Sequence, residues 1–514
     1  MDNKTLSKYA GKTALGIILS RIFGYIRDML VANLFGTGMF ADTFYAAFRI
    51  PNLLRRIFGE GSFSAAFIPV LSEYLRTKEK AEVQNFLNAV FAILLIMLIT
   101  ISVLGVFFSP LLTKIVAGGF ANDPEKMMLT IELTRLMFPF ILFICLAAFL
   151  LAVLNTLHSF FLPAFAVAAL SFSEIFYILA VAPMLIPANR IKGLAASVVI
   201  GGALHFFIQY PKLKSLGWHL KFKLDLKHPG VKKIVFLMLP SIIGLSAEQI
   251  NALVDSRFAS FLCPGSVPAL YYSNRIMQAP LAIFGFAFAS VSLPVMSKFF
   301  AQKDITMLKS SLNYSIRLTV FTLLPAAVGL MAIGLPIVKL LFEHGNFSPS
   351  GSIMTNNALF YYSLGLPAYA LSKIFANVFY SFQDTKMPVK TAVEAMILHI
   401  GLCAILMRPM GVGGFALATA VSSYFNLILL VIYLKKRIGK LGLKQILFLS
   451  SKSLLAAIAT GITSWNMCRV SDNLIIAVPV AIISGFIVFI VVSYILRVEE
   501  LRIFLSIFSK HKKS

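Results

Sequence analysis

The chain has 514 residues, 59% of them hydrophobic and 13% charged, with a mean hydropathy of +0.86 and a formal net charge of +25. Too few charges remain to cover a soluble protein of this length, so a soluble globular domain is excluded. The positive charge gathers in alternate loops between apolar runs, which reports membrane topology and not a nucleic-acid partner.

Fourteen spans follow in chain order, at roughly 9–35, 41–71, 86–109, 129–155, 160–186, 191–211, 231–260, 268–298, 311–333, 354–380, 387–407, 411–434, 445–467 and 473–496. Runs such as FLNAVFAILLIMLITISVLGVFF (86–108) are long enough to cross a hydrocarbon core of about 30 Å at about 1.5 Å per residue. The opening MDNKTLSKYAGK has no apolar core with a small-residue cleavage site, so no cleaved signal is expected. The first span contains SRIFGYIRDMLVANLFG, with Arg21, Arg27 and Asp28 inside an apolar helix. Arg21 and Asp28 are seven apart and share a face with Gly24 and Ala32, while Arg27 points elsewhere. One reading is an internal ion pair that ties helices together; the other is the wall of a polar cavity.

The second span raises the surplus of arginine. Asp42 and Arg49 again lie seven apart, Pro51 predicts a kink, and LLRRIFGEG brings Arg55, Arg56 and Glu60. Arg56 and Glu60 are spaced for an i,i+4 pair, whereas Arg55 has no obvious partner. Glu132 and Arg135 in span 4 are spaced for an i,i+3 pair. Glu174, Lys373 and Glu394 are isolated and read as local partners or interface residues and not as binding groups. His205 and His399 read as packing residues with satisfied hydrogen bonds, against the sharper alternative of titration in a proton-coupled cycle. Span 7 carries Glu248, Asp255 and Arg257, and span 8 carries Arg275. Four cysteines, Cys145, Cys263, Cys403 and Cys468, lack metal-ligand spacing and read as small apolar residues.

Loops rich in Lys and Arg (72–85, 212–233, 299–310, 381–390, 435–444 and the tail) alternate with GTGMFAD, CPGSVPA and HGNFSPSGS, which have none. Both termini are therefore expected in the cytoplasm. A repeat runs through the chain. FSAAFIPVLSEY (63–74) aligns with FASVSLPVMSKF (288–299) at an offset of 225, and TLHSFFLP (156–163) aligns with SFQDTKMP (381–388) at the same offset. FYAAFRI (44–50) aligns with LYYSNRI (270–276) at 226, placing Arg49 opposite Arg275. A repeat of six helices implies two parallel lobes, a transporter-like plan. The expected organisation is an N-terminal six-helix lobe (1–211), a cytoplasmic linker (212–230) and a second six-helix lobe (231–434). A C-terminal part (435–514) then holds a loop, two further spans and a basic tail.

Arg21, Arg27, Arg49 and Arg55 from the first lobe and Arg275 from the second, with Asn52 beside them, are expected to line a cationic cavity. Arginine's planar fork suits phosphate and carboxylate, so the expected cargo is anionic, with phosphate favoured. No Walker A loop, HExxH pair or GxSxG elbow is present. No cofactor is expected, and transport would run on an ion gradient, the membrane potential or the cargo's own gradient.

The stretches SRIFGYIRDMLVANLFG, ADTFYAAFRIPNLLRRIFGEGSFSAAFIPVLSEY, YYSNRIMQAP and FYSFQDTKMPVK resemble the MurJ (MviN) family of lipid II flippases, within the multidrug/oligosaccharidyl-lipid/polysaccharide exporter superfamily. The resemblance runs from about residue 10 to the C-terminus. It implies an all-α fold of fourteen spans in the bacterial inner membrane. It also implies export of lipid II, an undecaprenyl-diphosphate-linked disaccharide-pentapeptide, for peptidoglycan synthesis, alongside cell-wall synthesis enzymes. It carries substrate contact to Arg21, Arg27, Arg55 and Arg275, a counter-ion or gating role to Asp28 and Asp42, and a tail-binding groove to the last two spans. Glu60 joins the acidic gating set on its position. Asn274 precedes Arg275 where some relatives carry an acid. Some relatives bind sodium in the second lobe; here Asp255 and Thr419 offer oxygen but span 11 offers His399 and Cys403, so only a partial sodium site is expected.

Alternative functions imply other residues. An exporter of another polyprenyl-diphosphate glycan shares the cationic cavity, while a drug exporter would favour acidic and aromatic cavity residues. A membrane-embedded polyprenyl-phosphate transferase should add clustered aspartates for Mg²⁺, and the sequence has none. A non-transporting scaffold leaves the buried charges unexplained.

Overall fold

The structure, a computed structural model, describes residues 3–56 and 62–502, without the side chains of residues 3–15, 239–248 and 443–449. The described residues form α-helices, short 3₁₀ and π turns and loops, with no strand among them. Among the described residues, nine helical segments are long and apolar enough to cross a membrane, and the chain is a multi-pass helical membrane protein.

Two compact units divide the chain, Met1–Val267 and Pro268–Ser514. The first holds α1 (Asn3–Phe35), α2 (Met39–Leu54), α3 (Ser62–Thr77), α4 (Lys80–Phe107), α5 (Ser109–Val116), α6 (Pro124–Met137), α7 (Phe140–Thr156), α8 (Phe161–Ala166), α9 (Ala168–Phe176), α10 (Pro187–Ser215) and α11 (Pro229–Ala259). Next comes α12 (Ser266–Pro280), whose first two residues belong to the first unit and the rest to the second. It is followed by α13 (Phe286–Ala301), α14 (Ile305–Phe342), α15 (Pro349–Leu364), α16 (Leu366–Ser381), α17 (Lys386–Met410), α18 (Val412–Ile438), α19 (Leu443–Met467) and α20 (Leu474–Ile495).

Helix starts follow local chemistry. Asp123 accepts the Lys126 N–H ahead of α6 with Pro124 at the first helical position, and Ser348 with Pro349 opens α15 in the same way. Breaks follow proline. Pro139 separates α6 from α7 within the expected fourth span. In α14, Ile333 leaves helical geometry (φ −118°, ψ 22°) three residues before Pro336, whose ring displaces the carbonyl four residues earlier.

In the first unit α3, α4 and α7 enclose a phenylalanine cluster. Phe67 lies 5.0 Å from Phe63, 5.3 Å from Phe149 and 5.9 Å from Phe86 between ring centroids. Val231 and Ile234 of α11 complete this core. The 212–230 linker is tied to α4, with the His219 N–H on Gln84 Oε1 (3.2 Å) and the Lys221 N–H on Asn88 Oδ1 (2.9 Å). In the second unit Leu312 and Ile316 of α14, Phe375 and Val378 of α16, and Leu430 of α18 form the corresponding core.

The repeat is visible in the backbone of each unit. α2 runs into a π-helical turn at 55–56 and α12 into one at Leu281–Gly285. Helices α3 and α13 each have 16 residues and an internal proline, Pro69 and Pro294. After α7, His158 takes φ +60° and the Ser159 N–H bonds to the Leu154 carbonyl; after α16, Gln383 takes φ +59° and the Asp384 N–H bonds to the Phe379 carbonyl. Both are left-handed Schellman closures, and their residues correspond at the offset of 225.

Candidate functional site

On α1, Asp28 is 1% exposed, and its Oδ1 accepts from Arg27 Nη2 at 2.7 Å and Nε at 3.0 Å. Neighbouring helical residues rarely face each other; here the Arg27 guanidinium also reaches Glu174 Oε1 of α9 at 3.5 Å. Arg21 is exposed. The arginine that meets Asp28 is therefore Arg27, not the residue seven positions earlier on its face. Glu174, expected to be a local partner or interface residue, is part of this charged group.

On α2, Asp42 faces Lys126 of α6, whose Nζ stands 2.7 Å from Asp42 Oδ2. Asp42 also accepts the Gly265 N–H at 2.8 Å and the Val267 N–H at 3.3 Å. Lys126 escaped the sequence reading because a lysine in a helix's first turn, just past Asp123-Pro124, looks like loop charge. Its only signal was its place beside a span already rich in polar groups.

Arg55 does have a partner. Its Nε and Nη2 donate to Asn52 Oδ1 at 3.0 and 2.9 Å, so the guanidinium is held by a neutral carboxamide one turn earlier. Arg49 is partly buried on the same helix. Glu60 and the Arg56–Glu60 pair, and the Glu248 side chain, lie outside the described residues. The expected Glu132–Arg135 pair is not formed: Glu132 meets Lys192 at 2.7 Å and Arg135 Nε donates to Ser109 Oγ at 2.9 Å. His205 is buried, and neither ring nitrogen has a hydrogen-bond partner among the described residues, which overturns its reading as a satisfied packing residue.

Arg275 is partly buried on α12, and beside it Asn274 Oδ1 accepts from Gln278 at 2.5 Å. Glu394 lies 3.9 Å from Lys390, and Lys373 stands 4.0 Å over the Phe286 ring. Asp255 of α11 is partly buried. Thr419 Oγ1 donates to the Phe415 carbonyl of its own helix at 2.9 Å. On α17, His399 Nε2 and Cys403 Sγ are 3.4 Å apart and both residues are fully buried. Imidazole and thiol are softer donors than sodium takes, so these α17 residues do not fit a sodium ion.

The profile of a family described as "Lipid II flippase MurJ" matches residues 31–485. The chain belongs to the MurJ lipid II flippase family. A "Probable lipid II flippase MurJ" of Vibrio cholerae is 35% identical over 479 residues, covering 91% of each chain. The "Lipid II flippase MurJ" of Burkholderia cenocepacia is 35% identical over 425 residues, 82% of each chain. Among solved structures, "Lipid II flippase MurJ, inward closed conformation" aligns with a TM-score of 0.79 at 26% identity, over 94% of this chain and 98% of the other. An inward-facing multidrug transporter of the MATE family aligns at 0.70 with 12% identity, over 84% of this chain and 99% of that one, a likeness of fold alone. The MurJ profile begins at Val31, so Arg21, Arg27 and Asp28 precede the matched stretch.

Proposed function

We propose that the chain moves lipid II from the inner to the outer leaflet of the bacterial cytoplasmic membrane for peptidoglycan synthesis. The match of residues 31–485 to the lipid II flippase family carries this reading. It is a transport step that breaks no covalent bond. The cationic groups on α1, α2 and α12 suit a diphosphate, because a guanidinium fork pairs two oxygens at once.

The Arg27 group supplies the switch. Asp28 and Glu174 occupy the guanidinium at 2.7 and 3.5 Å, and a phosphate would compete with them for it. Cargo that replaces an internal partner binds the two states of the protein unequally, which is what ligand-driven alternation requires. Arg21, Arg49, Arg55, Asn52 and Arg275 would add further contacts to the diphosphate and sugar, with Asp42 and Glu60 in the gating set. Both termini lie in the cytoplasm on this reading, with repeat lobes at 1–211 and 231–434 and the 435–514 part as an appendage for the lipid tail. An ion gradient or the membrane potential drives the cycle.

Complementation tests the function. The chain should restore growth to a bacterium depleted of its own lipid II flippase, and lysis despite normal membrane expression would reject the proposal. Lipid II binding to purified Arg27→Ala and Arg275→Ala chains tests the diphosphate contact. Each should lose at least tenfold in affinity, and undiminished binding in both would remove the arginines from the site.

A further inference from the structure

Asp42 and Lys126 are 1% and 7% exposed. The Lys126 ammonium lies between the Asp42 carboxylate at 2.7 Å and the face of Phe120, 4.0 Å from the ring centroid. The carboxylate uses its other acceptor positions on the N–H groups of Gly265 and Val267. Val267 stands in the first turn of α12, where N–H groups have no intrahelical acceptor and negative charge is favoured.

The same strap of chain, 257–267, is fastened at two more points. Arg257 Nη1 donates to the carbonyls of Lys114 (3.0 Å) and Ile115 (2.9 Å), at the end of α5. The Gly119 N–H donates to Ser260 Oγ at 2.9 Å. Close approach is built in: a Cβ on Gly119 would lie 2.3 Å from the Ser260 carbonyl oxygen, and one on Gly265 (φ +91°) would lie 2.2 Å from that of Thr37. Each of these fastenings is a directional polar contact, in a unit whose core is phenylalanine. The Asp42 contacts are buried and are made or broken as a set, because a half-satisfied buried network is costly; the Arg257 contacts lie at the surface. The strap leads straight into α12, the helix that carries Arg275.

We propose that Lys126 is a positioning residue for transport: it aims the Asp42 carboxylate at the Gly265 and Val267 amides, forming a catch that holds the 257–267 strap and is released when α12 moves. This rests on the flippase reading above and adds a residue and a regulatory contact to it. An uncompensated carboxylate at this depth would be strongly penalised, so the lysine is what allows an acid to serve as the acceptor.

Amide hydrogen exchange on the purified full-length chain in nanodiscs, at one pH, reads the catch directly. Lys126→Met should exchange at least tenfold faster in the peptide covering Gly265–Val267, and Lys126→Arg should stay within about threefold of the parent chain. Asp42→Asn with Lys126→Met removes both buried charges; it should express normally yet still exchange at least tenfold faster, since a carboxamide offers one acceptor oxygen in place of two. Parent-like exchange in Lys126→Met overturns the proposal. So does parent-like exchange in the double variant, which would reduce the pair to mutual charge compensation. In the depletion strain Lys126→Arg should support growth and Lys126→Met should not; growth of Lys126→Met would remove the transport role. Failure of the parent chain to restore growth would instead sink the flippase reading and leave the exchange result standing.

Discussion

Arg27 is held from two sides, by an acid next to it in the chain and by another 147 positions away. Removing the guanidinium leaves Asp28 and Glu174, both buried, facing each other without it. Breaking a buried pair by removing one partner costs about 3–5 kcal/mol, so Arg27→Ala should lower the thermal unfolding midpoint in detergent as well as lipid II affinity. Adding Glu174→Gln should recover part of the midpoint without recovering the affinity. An Arg27→Ala chain as stable as its parent would show that the acids find other compensation. The sequence made these charges visible as anomalies in apolar helices, but it did not assign their partners. Helical spacing ranks residues on the same helix, whereas Glu174 and Lys126 come from other helices. The flexible Arg27 side chain also turns back to a neighbour that a projection would place on another face.

The helix ends carry the most regular information at the next scale. His158 and Gln383 each take a left-handed conformation at the close of a helix. That conformation is strained by roughly 1–2 kcal/mol for a residue with a Cβ. His158→Gly and Gln383→Gly should each relieve part of it, offset by about 0.5–1 kcal/mol of added unfolded-chain entropy, for a small net gain. His158→Val and Gln383→Val should both destabilise, since a branched side chain fits poorly at positive φ. Denaturant titration in micelles distinguishes the pairs, and opposite signs at the two sites would break their equivalence. The repeat was legible in TLHSFFLP and SFQDTKMP as a faint likeness of residues; what that likeness preserves is this closure. The bend at Ile333 was not legible in the same way. Proline predicts disruption but not which of the preceding residues yields, and α14 also contains Pro325, where no such departure occurs.

Across the whole molecule, composition and the period of the apolar runs were enough for the helical membrane class, and motifs in both halves, most specific near the N-terminus, pointed to the family. The C-terminal part shows what such reading misses. Arg317 of α14 donates to Glu500 Oε1 at 2.5 Å and to Glu499 Oε2 at 2.6 Å, just beyond α20, while Lys452 of α19 donates to the Leu496 carbonyl at 3.2 Å. The hydrogen bond and charge of Arg317 hold the exposed Glu499 carboxyl below its usual range. A lowered folded value means the contact contributes at neutral pH and is lost as pH falls through that value. Exchange protection of residues 496–502, corrected for intrinsic rates, should therefore decline below the ordinary glutamate range. In Arg317→Gln it should be low already at neutral pH. Protection unchanged in that variant would show that apolar packing alone holds the segment.

A last consequence follows from the π-helical turns after α2 and α12. Thirteen positions separate Ile50 from Phe63 in the first copy, but twelve separate Ile276 from Phe288 in the second. An inserted residue in an ordinary helix would rotate everything downstream by about a third of a turn. A π turn, with its wider i→i+5 ring, takes in one extra residue locally. Both copies widen in this interval, so the halves differ in length where the helical ladder is already loosened in each, and the closures at His158 and Gln383 still correspond at the offset of 225.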